Sequence, residues 1–244
     1  MITFIVLSRN PERLSCLEKS LHEAKLGSLQ EWELLPVDGT KYDLFTGYNR
    51  GARQARGEIL GFVHDDIEFW GDHRSFCRPV ELLAGATTGF VGVVGTRLLE
   101  SHGVWWRKRE EMRGMLASAS EDIFGTHWHF GPPWMSSKSC LNRAGLFGQV
   151  VVLDGIFLLC HRRTFDGLGG FDENSYRGFH FYDVDITFRA TLSGLSNYVA
   201  PIPMYHPSTG TLNHEWDRNR RIFLGKFRQF LPRGVSTGNV RGAP

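Results

Sequence analysis

The chain has few of the features that assign a class at once. Its 244 residues hold only four cysteines, Cys16, Cys77, Cys140 and Cys160, and no two are spaced as Cys-x-x-Cys. This argues against a structural zinc ribbon and reads as reduced thiols. The longest apolar runs are strand-sized, too short for a transmembrane helix. Net charge is also small, since 28 Lys+Arg against 26 Asp+Glu leave a formal +2. The basic residues form no stripe interleaved with aromatics, so no nucleic-acid partner is expected. Three motifs are missing: Gly-x-x-x-x-Gly-Lys-Ser/Thr, Gly-x-Gly-x-x-Gly after the first strand, and Gly-x-Ser-x-Gly. Their absence argues against a P-loop, a dinucleotide fold and a hydrolase elbow. His214-Glu215 lacks the second histidine of a zincin. Met1 to Leu7 has neither a basic region nor a small-residue cleavage site, so it reads as a strand rather than a signal peptide. The expected location is the cytoplasm.

What is present is ordinary globular composition, 41% apolar and 22% charged. The length fits one large domain that can bury roughly 70–75% of its unfolded surface. The first third alternates strand and helix. Ile2–Leu7 is an apolar β-branched run stopped by Ser8-Arg9-Asn10-Pro11, where Ser8 or Asn10 can cap a helix bearing Leu14, Leu17 and Leu21. Trp32–Val37 reads as a second strand ended by Asp38-Gly39, Tyr48–Ala55 as a helix, and Glu58–Val63 as a third strand running into His64-Asp65-Asp66. This order predicts right-handed crossovers and a mostly parallel sheet, in which ligands sit at the carboxyl ends of the strands. Three polar clusters fall at those ends. Further on, Phe90–Thr96 and Gln149–Cys160 have strand character, the latter interrupted by Asp154-Gly155. Gly167–Glu173 reads as a turn, Val184–Leu192 as a helix, Asn197–Ile202 as a strand and Asn219–Leu231 as a basic amphipathic helix.

Adjacent carboxylates such as Asp65 and Asp66 repel each other unless they are solvated or neutralised by a cation. Oxygen ligands of this type suit Mg2+ or Mn2+. In Tyr182-Asp183-Val184-Asp185 both acids cannot cap the helix that follows. Asp183 is expected to be functional and Asp185 structural. His206 and His214 are candidates for a third corner of a metal site. Residues 101–145 lose periodicity and carry Trp105, Trp106, Trp128 and Trp134 with His102, His127 and His129. Two readings stay open for this stretch: a lid or binding loop, or an irregular segment whose tryptophans plug the core.

The ordered set of Ser8-Arg9-Asn10, Val37-Asp38-Gly39, the Tyr48-to-Asp66 segment, Asp154-Gly155, Gly169-Gly170-Phe171-Asp172-Glu173, Phe181-to-Asp185, His206 and a C-terminal Lys226-Phe227 helix resembles a GT-A-fold glycosyltransferase of the large family 2 type. The resemblance covers nearly the whole chain outside the 101–145 loop and the tail. It implies an α/β fold: a single GT-A domain, Rossmann-like, with helices flanking the mostly parallel sheet. Residues 1–100 would form the nucleotide-sugar half, 101–145 a loop or lid, 146–231 the acceptor and catalytic half, and 232–244 a flexible tail. It also implies that Asp38 contacts the nucleobase, with Ser8 and Arg9 beside the nucleoside and His64, Asp65, Asp154 and Gly155 along the donor. Asp66 and His206 would hold Mn2+ or Mg2+, and Asp183 would be the general base of an inverting transfer, with His180 close to the acceptor. The chain departs from the pattern twice: His64 stands at the first Asp of the family's Asp-x-Asp motif, and Tyr182 stands at the Glu that precedes the base. The implied substrates are a UDP-, GDP- or dTDP-sugar and a hydroxyl of a glycan or another acceptor. A retaining transferase and an inactive nucleotide- or carbohydrate-binding module are the alternatives.

Overall fold

Each of the first two strands ends where its apolar run meets a polar turn, and the two turns lie side by side. The computed structural model describes residues 1–114, 116, 147–207 and 212–235. Strand β1 (Ile2–Ser8) leads to helix α1 (Pro11–Glu23), then β2 (Trp32–Asp38), α2 (Leu44–Gln54), β3 (Ile59–Val63) and the short β4 (Glu68–Phe69). Helix α3 (Cys77–Ala84) precedes β5 (Thr88–Gly92), β6 (Val94–Thr96), β7 (Leu98–Leu99) and β8 (Met112–Gly114). The second half comprises β9 (Gly148–Val150), β10 (Val152–Leu153), β11 (Phe157–His161), α4 (Arg162–Gly167), α5 (Tyr182–Leu192), β12 (Ser196–Val199), β13 (Met204–Tyr205), α6 (His214–Phe227) and β14 (Arg233–Gly234).

A seven-stranded sheet runs β2-β1-β3-β11-β5-β12-β9. Strands β1, β2 and β3 are parallel neighbours, as are β5 and β12, while β11 and β9 run against their neighbours. The sheet is thus mostly parallel, as expected. Register aligns Ser8 with Asp38 and Val6 with Val63, so Ser8-Arg9, Asp38-Gly39 and His64-Asp65-Asp66 emerge at one edge.

Local chemistry explains the element ends. Asn10 caps α1, its side chain accepting from the Glu12 and Arg13 N–H groups, with Pro11 at the first helical position. Helix α2 starts four residues earlier than periodicity suggests because Asp43 accepts from the Thr46 N–H at 2.9 Å. The other end of α2 is closed by Arg162, whose guanidinium donates to the Ala52, Ala55 and Gly57 carbonyls and satisfies the acceptors a helix end leaves open. An aromatic cluster welds α2 to the sheet and to α5: Tyr48, Phe62, Phe171 and Tyr182 are all buried, with ring centroids 4.9–5.7 Å apart along the Tyr48–Phe62, Phe62–Phe171 and Phe171–Tyr182 contacts. Each such ring contributes about 1.5–3 kcal/mol of burial.

Three expectations are corrected. The Phe90–Thr96 run is not one strand: the chain leaves the main sheet at buried Val93, and β6 joins β10 and β8 in a separate three-stranded sheet. Part of the 101–145 stretch is regular, since Met112–Gly114 pairs with β6. The proposed tail begins with Arg233-Gly234 paired to β7. Trp105 is buried and packs edge-on against Trp106, which in turn meets Trp216 of α6. For Trp105 the core-plugging reading holds. Trp128, Trp134, His127, His129, Cys140 and residues 236–244 lie outside the described residues. Among those described, Cys16, Cys77 and Cys160 are free thiols, and no helix is long and apolar enough to cross a membrane.

Candidate functional site

The β4–β13 ribbon builds one corner of the site. Tyr205 pairs with Glu68 and Met204 with Phe69, which sets His206 beyond one strand end and Asp66 before the other. His206 is buried, and its Nε2 lies 3.2 Å from Asp66 Oδ1 yet has no aligned hydrogen-bond partner. Leaving such a nitrogen unpaired in the interior is costly, and an ion between it and the carboxylate removes the cost. His64 joins them from the end of β3. One ligand atom each from His64, Asp66 and His206 lies within 4.8 Å of the other two. Two imidazoles and a carboxylate at this spacing fit a divalent transition ion. His214, the other candidate, is the exposed first residue of α6 and is not in this group.

Burial sets the charge state of His64. It pushes the imidazole down to about 3, with His206 adding to the effect, so the ring is neutral. Its Nε2 lies 2.8 Å from the Tyr182 hydroxyl. That hydroxyl also donates to the Gly155 carbonyl at 2.8 Å, and the Gly155 N–H donates to Asp183 Oδ2 at 2.8 Å. A Cβ at Gly155 would sit 2.1 Å from the Tyr182 oxygen, so only glycine allows this approach. Gly155 therefore seats the first turn of α5 through its own backbone.

That turn starts from a strained residue. Phe181, at the N-cap of α5, has φ +70° and no side-chain cap. Such a conformation costs on the order of 1–3 kcal/mol and persists only when its surroundings enforce it. Here they do, because the buried Phe181 ring packs on Trp216 and Phe223 of α6. Burial and the nearby Asp154 carboxylate raise Asp183 to about 7, against the pull of backbone N–H groups, and burial raises Asp154 too. Asp185, two residues on, has a different task. It is fully buried, accepts from the Tyr176 hydroxyl at 2.9 Å and from Arg189 Nε at 2.6 Å, and pairs with Lys226.

The opposite rim is open. Asp38 accepts from the Thr40 N–H and hydroxyl and pairs with Lys41 at 2.9 Å, and these groups lower it to about 2. Arg9 donates to the Gly39 carbonyl at 2.6 Å, and Ser8 donates to Asp65 Oδ2 at 2.6 Å. The structure thus brings Ser8, Asp65 and Asp66 together with His64 and His206. Asp154, Gly155, Tyr182 and Asp183 lie beside them through the Tyr182–His64 bond, whereas Asp38 and Arg9 occupy the rim. His180 is half-buried and borders the exposed ring of Phe179, which lies 5.3 Å from His64.

Sequence reading missed two groups here. Arg13, on the first turn of α1, stands 3.6 Å from Asp65 and 3.7 Å from Asp66 and supplies positive charge to both acids. The second is the Tyr182 hydroxyl, whose bonds to His64 and Gly155 come from the fold. No periodicity marks either residue, although an arginine three positions after a helix cap at a strand end is a readable signal. A cavity of about 650 Å3 lined by Glu18, His22, Lys25 and Trp32 opens at the other end of β2 and takes no part in this cluster.

The chain is 25% identical over 191 residues to the uncharacterized protein y4gI of Sinorhizobium fredii (strain NBRC 101917 / NGR234), a match covering 78% of this chain and 20% of that protein. It thus spans about a fifth of that relative's length. Similar solved structures are GalNAc-T7 with UDP, GalNAc and Mn2+ (TM-score 0.53, 11% identity, 93% of this chain and 48% of that one) and a mannosyltransferase from Pyrobaculum calidifontis with GDP-Man and Mn2+ (TM-score 0.53, 13% identity, 93% and 64%). At these identities the likeness is one of fold, a GT-A fold. Residues 3–227 match the model of a glycosyltransferase-like family, and the chain belongs to that family.

Proposed function

We propose that the chain transfers a sugar from a nucleotide-diphospho-sugar to an acceptor hydroxyl, with inversion and with Asp183 as general base. The observation that carries this reading is the grouping of one ligand atom each from His64, Asp66 and His206 within 4.8 Å of one another at the carboxyl end of the sheet, linked through Tyr182 and Gly155 to the Asp183 carboxylate on α5. The similar structures hold UDP or GDP-Man with Mn2+ and support the same substrate class here. Asp66 and His206 would hold Mn2+ or Mg2+, which when bound stabilises the charge of the diphosphate leaving group. Ser8, Arg9, Asp38 and Asp65 line the nucleoside side, with His64, Asp154 and Gly155 toward the transferred sugar. Asp183 accepts the proton of the attacking hydroxyl as the new bond forms on the face opposite the leaving group. The Gly155 N–H donates to one Asp183 oxygen at 2.8 Å and orients the carboxylate. We read residues 1–244 as a single domain, with 1–100 serving the donor and 146–231 the acceptor and the chemistry.

A thermal-shift series with UDP, GDP, dTDP, CDP and CMP, each with Mn2+ or EDTA, tests the donor site. A ligand at 100 times its Kd adds about 2.7 kcal/mol, which moves the midpoint by about 5–10 °C for a chain of this size. The expected result is a shift for one diphosphate that EDTA abolishes. No shift with any nucleotide would favour an inactive binding module. NMR of the product anomer separates inversion from retention.

A further inference from the structure

The two positions at which the chain departs from the pattern it resembles are in contact with each other. His64 Nε2 and the Tyr182 hydroxyl lie 2.8 Å apart, and the same hydroxyl lies 2.8 Å from the Gly155 carbonyl. A carbonyl oxygen can only accept, and a phenol carries one proton. The Tyr182 proton is therefore committed to Gly155, and toward His64 the phenol oxygen is an acceptor. It follows that His64 bears its proton on Nε2 and keeps a lone pair on Nδ1. A neutral imidazole whose other nitrogen donates to a fixed oxygen is the form that ligates metals, and such an oxygen sets both tautomer and ring orientation. The buried Tyr182 ring is itself clamped against Phe45, Tyr48 and Phe171, so the hydroxyl is a fixed post. On the cation side, the rings of His64 and His206 are 5.6 Å apart, and the His206 nitrogen aimed at Asp66 lacks a partner.

We propose that His64 is a third ligand of the cation, through Nδ1, that Tyr182 is the positioning residue holding it in the ligating tautomer, and that this two-imidazole, one-carboxylate set favours Mn2+ over Mg2+. The selectivity follows from ligand chemistry. Mg2+ prefers oxygen and a near-ideal octahedron, whereas imidazole suits the first-row transition ions. The inference rests on the reading that Asp66 and His206 hold a divalent ion.

The test uses the whole chain and needs no turnover. Long-range proton–nitrogen NMR of histidine-labelled, metal-free protein reads the His64 tautomer directly. The Nε2–H form is expected in the wild type and a mixture in Tyr182→Phe. Calorimetry with MnCl2 and MgCl2 then gives affinities. Tyr182→Phe and His64→Ala are expected to weaken Mn2+ by about 10–100-fold, while His64→Asp retains binding and narrows the preference for Mn2+ over Mg2+. An Nδ1–H tautomer in the wild type, or unchanged Mn2+ affinity in His64→Ala, overturns the inference and leaves an ion at Asp66 and His206 standing. Absence of Mn2+ binding by the wild type, with or without UDP or GDP, overturns both.

Discussion

Two aspartates at the mouth of the sheet, one closing β2 and one at the start of α5, are shifted in opposite directions. Asp38 stands in solvent, where Thr40 and Lys41 hold it charged and bring it down to about 2. Asp183 stands half-buried beside Asp154 and is pushed up to about 7. The residue type is the same, and the surroundings set the direction of the shift. A carboxylate that stays charged at every working pH suits recognition of a nucleoside's donors, whereas one poised near neutrality suits proton transfer. The contrast extends to their neighbours. On the rim, Asp38 is held within its own turn by the exposed Thr40 and Lys41. Around Asp183 the bonds link β3, α5 and the turn before β11, and each partner is fixed by another.

The comparison breaks most sharply at Asp183. Asp183→Asn keeps an oxygen for the Gly155 N–H and removes the base, so kcat is expected to fall by about 10²–10⁴-fold, with nucleotide affinity in a thermal-shift titration nearly unchanged. If turnover survives, the base lies elsewhere. Asp185→Ala, two residues along the same helix, is expected to do the reverse. It leaves Arg189 and Lys226 facing a buried gap, and it should cost about 3–5 kcal/mol, toward the lower figure because both cations retain backbone or Asp172 contacts. Urea denaturation measures that loss, and kcat per folded molecule should fall far less than in Asp183→Asn.

The pH dependence sharpens the same contrast. The base form of Asp183 appears as pH rises through about 7, so kcat/KM is expected to climb about tenfold per pH unit below that point and level off above it. Stability runs the other way. Its folded pKa lies above the ordinary 3.8, so between these values the folded chain keeps a proton that the unfolded chain has released. That contribution is complete below the ordinary value and gone above about 7. Urea midpoints of wild type and Asp183→Asn should therefore diverge in favour of the variant from pH 4 to pH 8. A wild-type kcat/KM that stays level from pH 5 to 8 would remove Asp183 as the base.

What could be read from the sequence, and what could not, follows from the range of each signal. The strand ends at Ser8, Asp38 and Val63 were legible because an apolar β-branched run stopping at polar residues is a local event, and parallel register then brings the stops together. Helix α4 was not, because six residues held by a His161 cap are too short to show a period. The sheet change at Val93 left no trace, since both strands it joins are buried and apolar. Strands β4 and β13 have two residues each, so nothing local announced the ribbon that carries Asp66 to His206. The Tyr182–His64 bond spans 118 residues of sequence. The rule that both acids cannot cap one helix separates Asp183 from Asp185 in the sequence, but the Arg189 and Lys226 partners of Asp185 came only with the fold.

The smallest expected effect falls on the rim. Asp38→Ala removes an exposed carboxylate whose bonds to Thr40 and Lys41 are screened by water, so thermal stability should not change measurably. Nucleotide affinity should weaken by about tenfold or less, the range of one or two hydrogen bonds traded against solvent. The sharper readout is which nucleotide weakens. If Asp38 reads the base, discrimination between UDP and GDP narrows in the variant while affinity for inorganic diphosphate with Mn2+ stays the same. A uniform loss across all three ligands would make Asp38 a general electrostatic contributor and pass base recognition to the neighbouring backbone of Ser8 and Gly39. Because Lys41 loses its partner in this variant, Lys41→Ala serves as the control. Alone it should leave discrimination intact, since the Thr40 bonds still hold the Asp38 carboxylate in place.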